Sequence, residues 1–104
     1  MKTIEEIRSH LIKGQFEFSH HGFKRSIERN ISESEIREAG KDAMIIDDYP
    51  DDKFSPSCLL LGFTTVGRPL HIQITRIETC PSLIKIITIY QPDEDEWIDY
   101  SIRR

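Results

Sequence analysis

Three strand-like segments joined by short turns fill most of the second half of the chain, and they constrain the fold more than any other feature. Residues 57–65 are rich in Leu and Phe, residues 69–77 alternate apolar with polar side chains, and residues 83–90 are dominated by Ile. Turn-forming residues separate these segments, at Gly67 and at 79–82. Segments of this kind predict an antiparallel meander.

The first half of the chain predicts helices that cover this sheet. Capping boxes at residues 3–6 and 32–35 each begin a run of apolar residues at helical spacing, and Ser19 begins a further helix that ends at Asn30. A short apolar run at 44–46 adds a strand before the meander. We therefore predict an α+β domain in which two or three N-terminal helices pack on an antiparallel sheet of about four strands.

The composition is that of one soluble domain, which we take as residues 1–104. Charged residues make up 31% of the chain and hydrophobic residues 38%, fractions that exclude disordered and membrane-spanning classes. The acidic residues near the N-terminus do not fit a signal peptide, so we expect a cytoplasmic protein. Cys58 lies in an apolar run, which predicts a buried free thiol rather than a disulfide with Cys80.

The charge is unevenly distributed along the chain. The formal net charge is −4, whereas general nucleic-acid binders are usually basic. Basic residues nevertheless cluster at 20–29, and acidic residues collect at 33–38, 47–52 and 93–96. A local basic surface on an acidic body indicates a protein that binds one anionic ligand or also docks a basic partner.

The residues best suited to chemistry lie on the second predicted helix. His21, Arg25 and Arg29 are spaced four residues apart and therefore share one stripe of that helix. Guanidinium groups bind phosphate oxygens through paired hydrogen bonds, and imidazole exchanges protons near neutral pH. The stripe predicts a site for a phosphate-bearing ligand. Phe23 and Ile27 lie nearly opposite, so we expect both to enter the core.

The other histidines have different expected environments. Alternation along residues 69–77 turns His71 away from the core side, where a ligand can reach it. His71 is therefore a candidate for a second proton-transfer group, with an exposed strand residue as the alternative. His20 lies beside the apolar side of its helix and is expected to be a core histidine. We expect His10, on the first helix, at the surface.

Three further residues are candidates for substrate binding. Lys24 belongs to the basic helix, Arg68 lies in a hairpin turn close to His71, and Tyr90 ends the last strand of the meander. Tyr90 can donate to a phosphate, although a buried structural tyrosine is the alternative. The histidines and cysteines show no metal-ligand spacing, so we predict neither a metal nor another cofactor.

The motifs of the basic helix and the following strands resemble the bacterial family named domain of unknown function 4258. Its pattern Ser-x-His-x-x-x-Arg-x-x-x-Arg-(Gly/Asn)-Ile-(Ser/Thr) matches residues 19–32, with Asn30 where the family usually has Gly. Three later motifs follow in the family's order, at residues 45–49, 67–71 and 87–92. The resemblance covers residues 16–104.

The resemblance implies a compact RelE-like or barnase-like ribonuclease toxin that a small zinc-finger antitoxin neutralises. On that basis His21 and Arg25 would catalyse metal-independent cleavage of RNA, in which the 2′-OH attacks the adjacent phosphorus. His71 would be the second proton-transfer group. The substrate-binding residues would be Arg29, Lys24, Arg68 and Tyr90.

Two other functions stay open on the sequence alone. A non-catalytic module could use the same stripe to hold an anionic ligand or a nucleic-acid backbone. A pure interaction protein could instead dock a basic partner on the acidic loop at 47–52 and on the acidic tail. The acidic net charge favours these alternatives, whereas the clustered His-Arg-Arg stripe favours catalysis.

Overall fold

A computed structural model describes residues 2–53, 55–76 and 83–104. The first half contains the helices α1 (Ile4–Ile12), α2 (His20–Glu28) and α3 (Glu33–Gly40), with the short strand β1 (Phe16–Phe18) between α1 and α2. The main strands are β2 (Met44–Tyr49), β3 (Ser57–Phe63), β4 (Pro69–Thr75) and β5 (Ile84–Tyr90). Two short strands follow, β6 (Trp97–Ile98) and β7 (Ile102–Arg103).

The architecture confirms the predicted α+β class. The main sheet has the strand order β1-β5-β4-β3-β2, and its neighbours are antiparallel except for the parallel pair β1 and β5. The sheet therefore has five strands, because β1 joins the predicted four at the open edge of β5. Strands β6 and β7 form a separate two-stranded ribbon. The turn predicted at 79–82, with Cys80, lies outside the described residues.

The local signals at the helix ends are confirmed. Both predicted capping boxes are present, and the Ser19 side chain accepts a hydrogen bond from the Gly22 amide at 3.0 Å. The residue after the α2 C-cap, Asn30, has a φ of +54°, which Asn tolerates better than most side chains. Gly14, with a φ of +71°, follows α1 and turns the chain toward β1.

Both faces of the sheet are covered, at least in part. On one face the helices bury an apolar core that includes Leu60, Ile72 and Ile89, each fully buried, and the predicted free thiol of Cys58. Burial raises the pKa of that thiol to about 11, so it stays protonated at neutral pH. On the opposite face the β6–β7 ribbon packs over His71 through Trp97. Within the described residues no helix is long and apolar enough to cross a membrane.

Helix α2 packs on the sheet through its small residues. The prediction that Phe23 and Ile27 enter the core is wrong, since their exposed fractions are 54% and 64%. His20, expected in the core, is also exposed. Gly22 and Ser26 are the buried residues of the helix, because α2 lies so close to β5 that no large side chain fits between them.

Replacing Gly22 by alanine is expected to destabilise the fold. A Cβ atom at this position would lie 2.5 Å from the backbone oxygen of Ile86 on β5, and a strand backbone cannot move aside without disturbing the sheet. We expect the free energy of unfolding to fall by roughly 1 to 3 kcal/mol, as for other overpacked sites. Urea denaturation measures this change. The exposed control Lys24→Ala should stay within about 0.5 kcal/mol, and an equally stable Gly22→Ala protein would contradict the close packing.

Candidate functional site

A cavity of about 510 Å³ lies where the end of α2, the β3–β4 turn and the end of β5 meet the β6–β7 ribbon. This volume is in the range of small-ligand sites. We call it the arginine cavity, since three guanidinium groups line it together with two aromatic side chains, two carboxylates and one amide: Arg29, Arg68, Arg103, Tyr90, Trp97, Asp93, Glu96 and Gln91. Three of the seven predicted site residues, Arg29, Arg68 and Tyr90, therefore come together here.

Arg29 is held at the cavity by the backbone of β5. It is the C-cap residue of α2, and its Nη1 donates to the Ile89 carbonyl oxygen at 2.7 Å. Its guanidinium carbon lies 5.8 Å from the centre of the Tyr90 ring, at the distance of a cation–π contact. A guanidinium has five N–H donors, and the bond to Ile89 uses one of them. Arg29 is thus positioned while it keeps the capacity to bind an anion.

Arg68 mainly joins parts of the fold. Its side chain donates to Glu35 at 2.8 Å, to Gln91 at 2.9 Å and to two backbone carbonyls at the end of α2. The backbone amide of Ser32 and, less strongly, the Arg68 guanidinium hold the pKa of Glu35 below its usual value. Arg68 thus ties the α2–α3 connection to the end of β5 and fixes the shape of the cavity.

The β6–β7 ribbon forms one wall of the arginine cavity, and the sequence did not predict this wall. The Arg103 guanidinium carbon lies 5.3 Å from the centre of the Trp97 ring, and its Nη2 is 3.8 Å from a Glu96 oxygen. Trp97 fixes this ribbon onto the sheet, since its exposed fraction is 6% and its ring packs against His71 on β4. In the sequence, Arg103 belongs to a short basic stretch that follows a run of acidic residues. This pattern does not predict where Arg103 lies in the fold.

His71 lies beneath the cavity and not on its surface. The prediction that a ligand can reach His71 is wrong, because the ribbon covers this part of the sheet and the side chain is fully buried. The Trp97 ring packs edge-on against the imidazole, with ring centres 4.5 Å apart. The imidazole nitrogens contact Tyr90 Oη at 3.0 Å and the Tyr100 carbonyl oxygen at 2.5 Å. His71 therefore contacts the cavity only indirectly, through the lining residues Tyr90 and Trp97.

The other predicted residues of the basic helix do not line the arginine cavity. His21 and Lys24 are exposed on α2. The Arg25 side chain contacts His21 Nε2 at 3.4 Å and forms an ion pair with Glu28 at 2.8 Å. The stripe is therefore real as a geometric feature, but only its last member, Arg29, reaches the cavity. The catalytic roles of His21 and Arg25 and the binding role of Lys24 stay predictions.

His10 corrects another expectation. We expected it at the surface, but only 8% of it is exposed. Its Nδ1 atom is buried and has no hydrogen-bond partner among the described residues. Burial, helped by the charge of Lys2, lowers the pKa of His10, and burial also lowers the pKa of His71. Both histidines thus resist protonation in the folded protein.

We expect these two histidines to make the protein less stable below neutral pH. The histidines of the unfolded chain take up protons at higher pH than those of the folded chain. The free energy of unfolding is therefore unaffected by them above about pH 6.5 and decreases as the pH falls below that value. Urea midpoints at about pH 7.5 and about pH 5.5 measure the effect. The variant His10→Gln should show a smaller decrease, and equal midpoints for the parent protein at the two pH values would contradict the prediction.

The fold and the site together define a class, a small α+β protein with an arginine-lined cavity at the end of its sheet. The profile of a family described as Domain of unknown function (DUF4258) matches residues 18–91, and the chain belongs to this family. The matched part includes Arg29, Arg68 and Tyr90 but not the β6–β7 ribbon that completes the cavity. Searches of curated proteins and of solved structures found no match.

Proposed function

We propose that this protein is a metal-independent endoribonuclease and the toxin component of a bacterial toxin–antitoxin system. The observation that carries the proposal is the arginine cavity, which Arg29, Arg68 and Arg103 line together with the hydroxyl-bearing Tyr90. A cavity rich in guanidinium groups suits the phosphate of a nucleic-acid backbone. The RelE-like and toxin character comes from the family resemblance and is part of the proposal.

The charges of the cavity fit a reaction at phosphorus. Of the three arginines, Arg68 is paired with Glu35 and Arg103 lies 3.8 Å from Glu96. Arg29 forms no ion pair within the described part of the chain, so its positive charge is the one that remains for a phosphate. In RNA cleavage the 2′-oxygen attacks the adjacent phosphorus, negative charge increases on the phosphoryl oxygens, and a cyclic phosphate is formed. Guanidinium groups positioned in advance stabilise that charge as it develops. The arginine cavity thus supplies the electrostatic part of the reaction without a metal ion.

Inducing the chain in a bacterial host tests this function. We expect growth arrest and fragmentation of total RNA with the parent protein, and neither effect with Arg29→Ala. The matched control is Arg37→Ala, because Arg37 also donates to a backbone carbonyl, that of Ile12 at 3.0 Å, but does not line the cavity. Normal growth with intact RNA in cells that contain soluble parent protein would contradict the proposal.

The partner that we propose is a small antitoxin, of basic or zinc-finger type as the resemblance implies. The acidic loop at 47–52 and the acidic stretch at 93–96 can attract a basic partner. The stretch 93–96 also contributes Asp93 and Glu96 to the cavity, so a partner bound there would obstruct RNA. Co-expression with such a partner should restore growth in the induction experiment.

A non-catalytic module that binds an anion is the second candidate. It is favoured by Arg68, whose side chain is occupied by contacts within the protein, and by the absence of His21 from the cavity lining. This function predicts that RNA binds to the protein and loses affinity in Arg29→Ala without any cleavage. Binding and cleavage assays on the same RNA separate the two candidates.

A further inference from the structure

Tyr90 and His71 form a hydrogen-bonded pair that extends from the cavity into the interior. Tyr90 lines the arginine cavity, and its hydroxyl lies 3.0 Å from His71 Nδ1. The other ring nitrogen of His71 contacts the Tyr100 carbonyl oxygen. The imidazole is fully buried under Trp97. The pair thus connects a residue of the cavity lining with a residue that is fully buried.

The contacts of His71 determine which nitrogen carries the proton. A carbonyl oxygen only accepts hydrogen bonds, so the bond to Tyr100 requires a proton on His71 Nε2. Burial lowers the pKa of His71, and the neutral ring then has an unprotonated Nδ1. Tyr90 Oη must therefore donate its proton to Nδ1. This leaves the lone pairs of the phenol oxygen available to a donor in the cavity.

We propose that Tyr90 is the catalytic residue that exchanges a proton with RNA and that His71 is the positioning residue that accepts the Tyr90 proton in turn. The inference rests on the proposed function. As the 2′-OH attacks phosphorus, its proton passes to Tyr90 Oη while the phenol proton passes to His71 Nδ1. The bond from the 2′-oxygen to phosphorus forms and the bond to the 5′-oxygen breaks. The departing 5′-oxygen takes a proton from water, and the proton held by His71 returns through Tyr90 to the hydroxide left behind.

The charged groups around the pair suit this direction of proton transfer. Burial is the main influence on Tyr90 and raises the pKa of its hydroxyl, whereas Arg103 and Arg29 act in the opposite direction and Glu96 adds to the rise. Tyr90 therefore enters the reaction as a neutral phenol and not as a phenolate. On the other side of the pair, the Tyr100 carbonyl stabilises the imidazolium that forms when Nδ1 takes up its proton.

The first part of the test measures the protonation state of His71 in the absence of substrate. Nitrogen-detected NMR of the histidine rings should show His71 as the Nε2–H tautomer in the parent protein. In Tyr90→Phe, which keeps the ring and removes only the hydroxyl, the Nδ1 signal should change and His71 should protonate at higher pH, because the neutral ring loses its donor. The matched control is Tyr49→Phe, since Tyr49 lies outside the lining of the cavity and its electrostatic interaction with Tyr90 needs ionised phenols, which are absent near neutral pH. Its His71 signals should match those of the parent.

The second part measures cleavage as a function of pH. Tyr90→Phe should lower kcat/KM by roughly 10²- to 10⁴-fold, the usual contribution of a general acid or base, whereas Tyr49→Phe should match the parent. In the parent, kcat/KM should fall on the acidic side as His71 becomes protonated. In His71→Gln this decrease of kcat/KM at low pH should be absent, a result that a purely structural role of His71 would not give. If His71→Gln does not fold, the loss of activity in Tyr90→Phe still tests the proposal.

The outcomes distinguish this inference from the proposed function. Cleavage by the parent together with full activity of Tyr90→Phe, or an Nδ1–H tautomer of His71, would overturn the pair while the ribonuclease remains. Intact RNA with every protein, despite an Nε2–H tautomer, would overturn the ribonuclease and with it the catalytic role of the pair.

Discussion

Arg29→Ala is expected to reduce RNA cleavage by roughly 10²- to 10³-fold, the loss that follows removal of one preorganised charge-stabilising donor. Arg29 is the member of the basic stripe that lines the arginine cavity, and its bond to the Ile89 carbonyl fixes its guanidinium beside Tyr90. Arg29→Lys keeps the charge but loses the planar fork, so it should recover only part of the rate. Single-turnover cleavage of a defined RNA measures the change.

Two further arginine variants show whether RNA is cleaved at the arginine cavity or at the exposed stripe of α2. Arg37→Ala removes a comparable guanidinium outside the cavity lining and should cleave as fast as the parent. Arg25→Ala removes the neighbouring member of the stripe, which is paired with Glu28. A loss in Arg25→Ala much larger than in Arg29→Ala would contradict a reaction at the cavity and would favour the exposed stripe. Denaturation of each variant controls for the lost contacts of the arginine.

Trp97→Ala is expected to lower the free energy of unfolding by roughly 3 kcal/mol or more, the range found for buried aromatic side chains. Trp97 is 6% exposed and joins the ribbon to the main sheet through its contact with His71. Its removal should also admit water to His71 and move the pKa of that imidazole upward toward about 6.5. Urea denaturation and NMR titration of the imidazole measure the two effects.

The neighbouring residue provides the control for this variant. Ile98 lies on the same strand but is 40% exposed, so Ile98→Ala should cost less than about 1 kcal/mol. If Trp97→Ala changed neither stability nor the pKa of His71, the ribbon would not cover His71 in solution. That result would also remove the wall that Arg103 supplies to the cavity.

Local sequence signals predicted the elements of this fold because each signal acts within a few residues. The capping box at 32–35 and the N-cap Ser19 satisfy amide groups of their own helices. The left-handed backbone of Asn30 likewise depends only on that residue and its helix. The alternation of β4 correctly separated Ile72, on the core side, from His71. These parts of the structure follow from neighbours along the chain.

The contacts that make the site are not local, and here the sequence was less informative. An apolar helix face usually packs inward, but Phe23 and Ile27 are exposed because the close approach to β5 selects Gly22 and Ser26 instead. His71 faces away from the helices as predicted, yet Trp97, which is 26 positions later in the chain, buries it. Alternation along a strand specifies a face and does not specify what covers that face.

The composition of the cavity illustrates the same limit. Arg29, Arg68 and Tyr90 were each predicted to bind substrate, but nothing in the sequence joined them to Arg103. The stripe instead grouped Arg29 with His21 and Arg25, because helical spacing is visible in a sequence and the position of a C-terminal ribbon is not. The family profile also ends at residue 91, before that ribbon begins.

Metal-independent cleavage is tested by incubating the purified protein with a defined RNA in the presence of a metal chelator. We expect cleavage, a 2′,3′-cyclic phosphate on the product, and no cleavage where the 2′-OH at the scissile position is replaced by hydrogen. A preparation of Arg29→Ala purified in parallel should cleave far more slowly, which excludes a contaminating nuclease. Intact RNA with the folded parent protein, or equal cleavage by both preparations, would contradict a metal-independent ribonuclease at the arginine cavity.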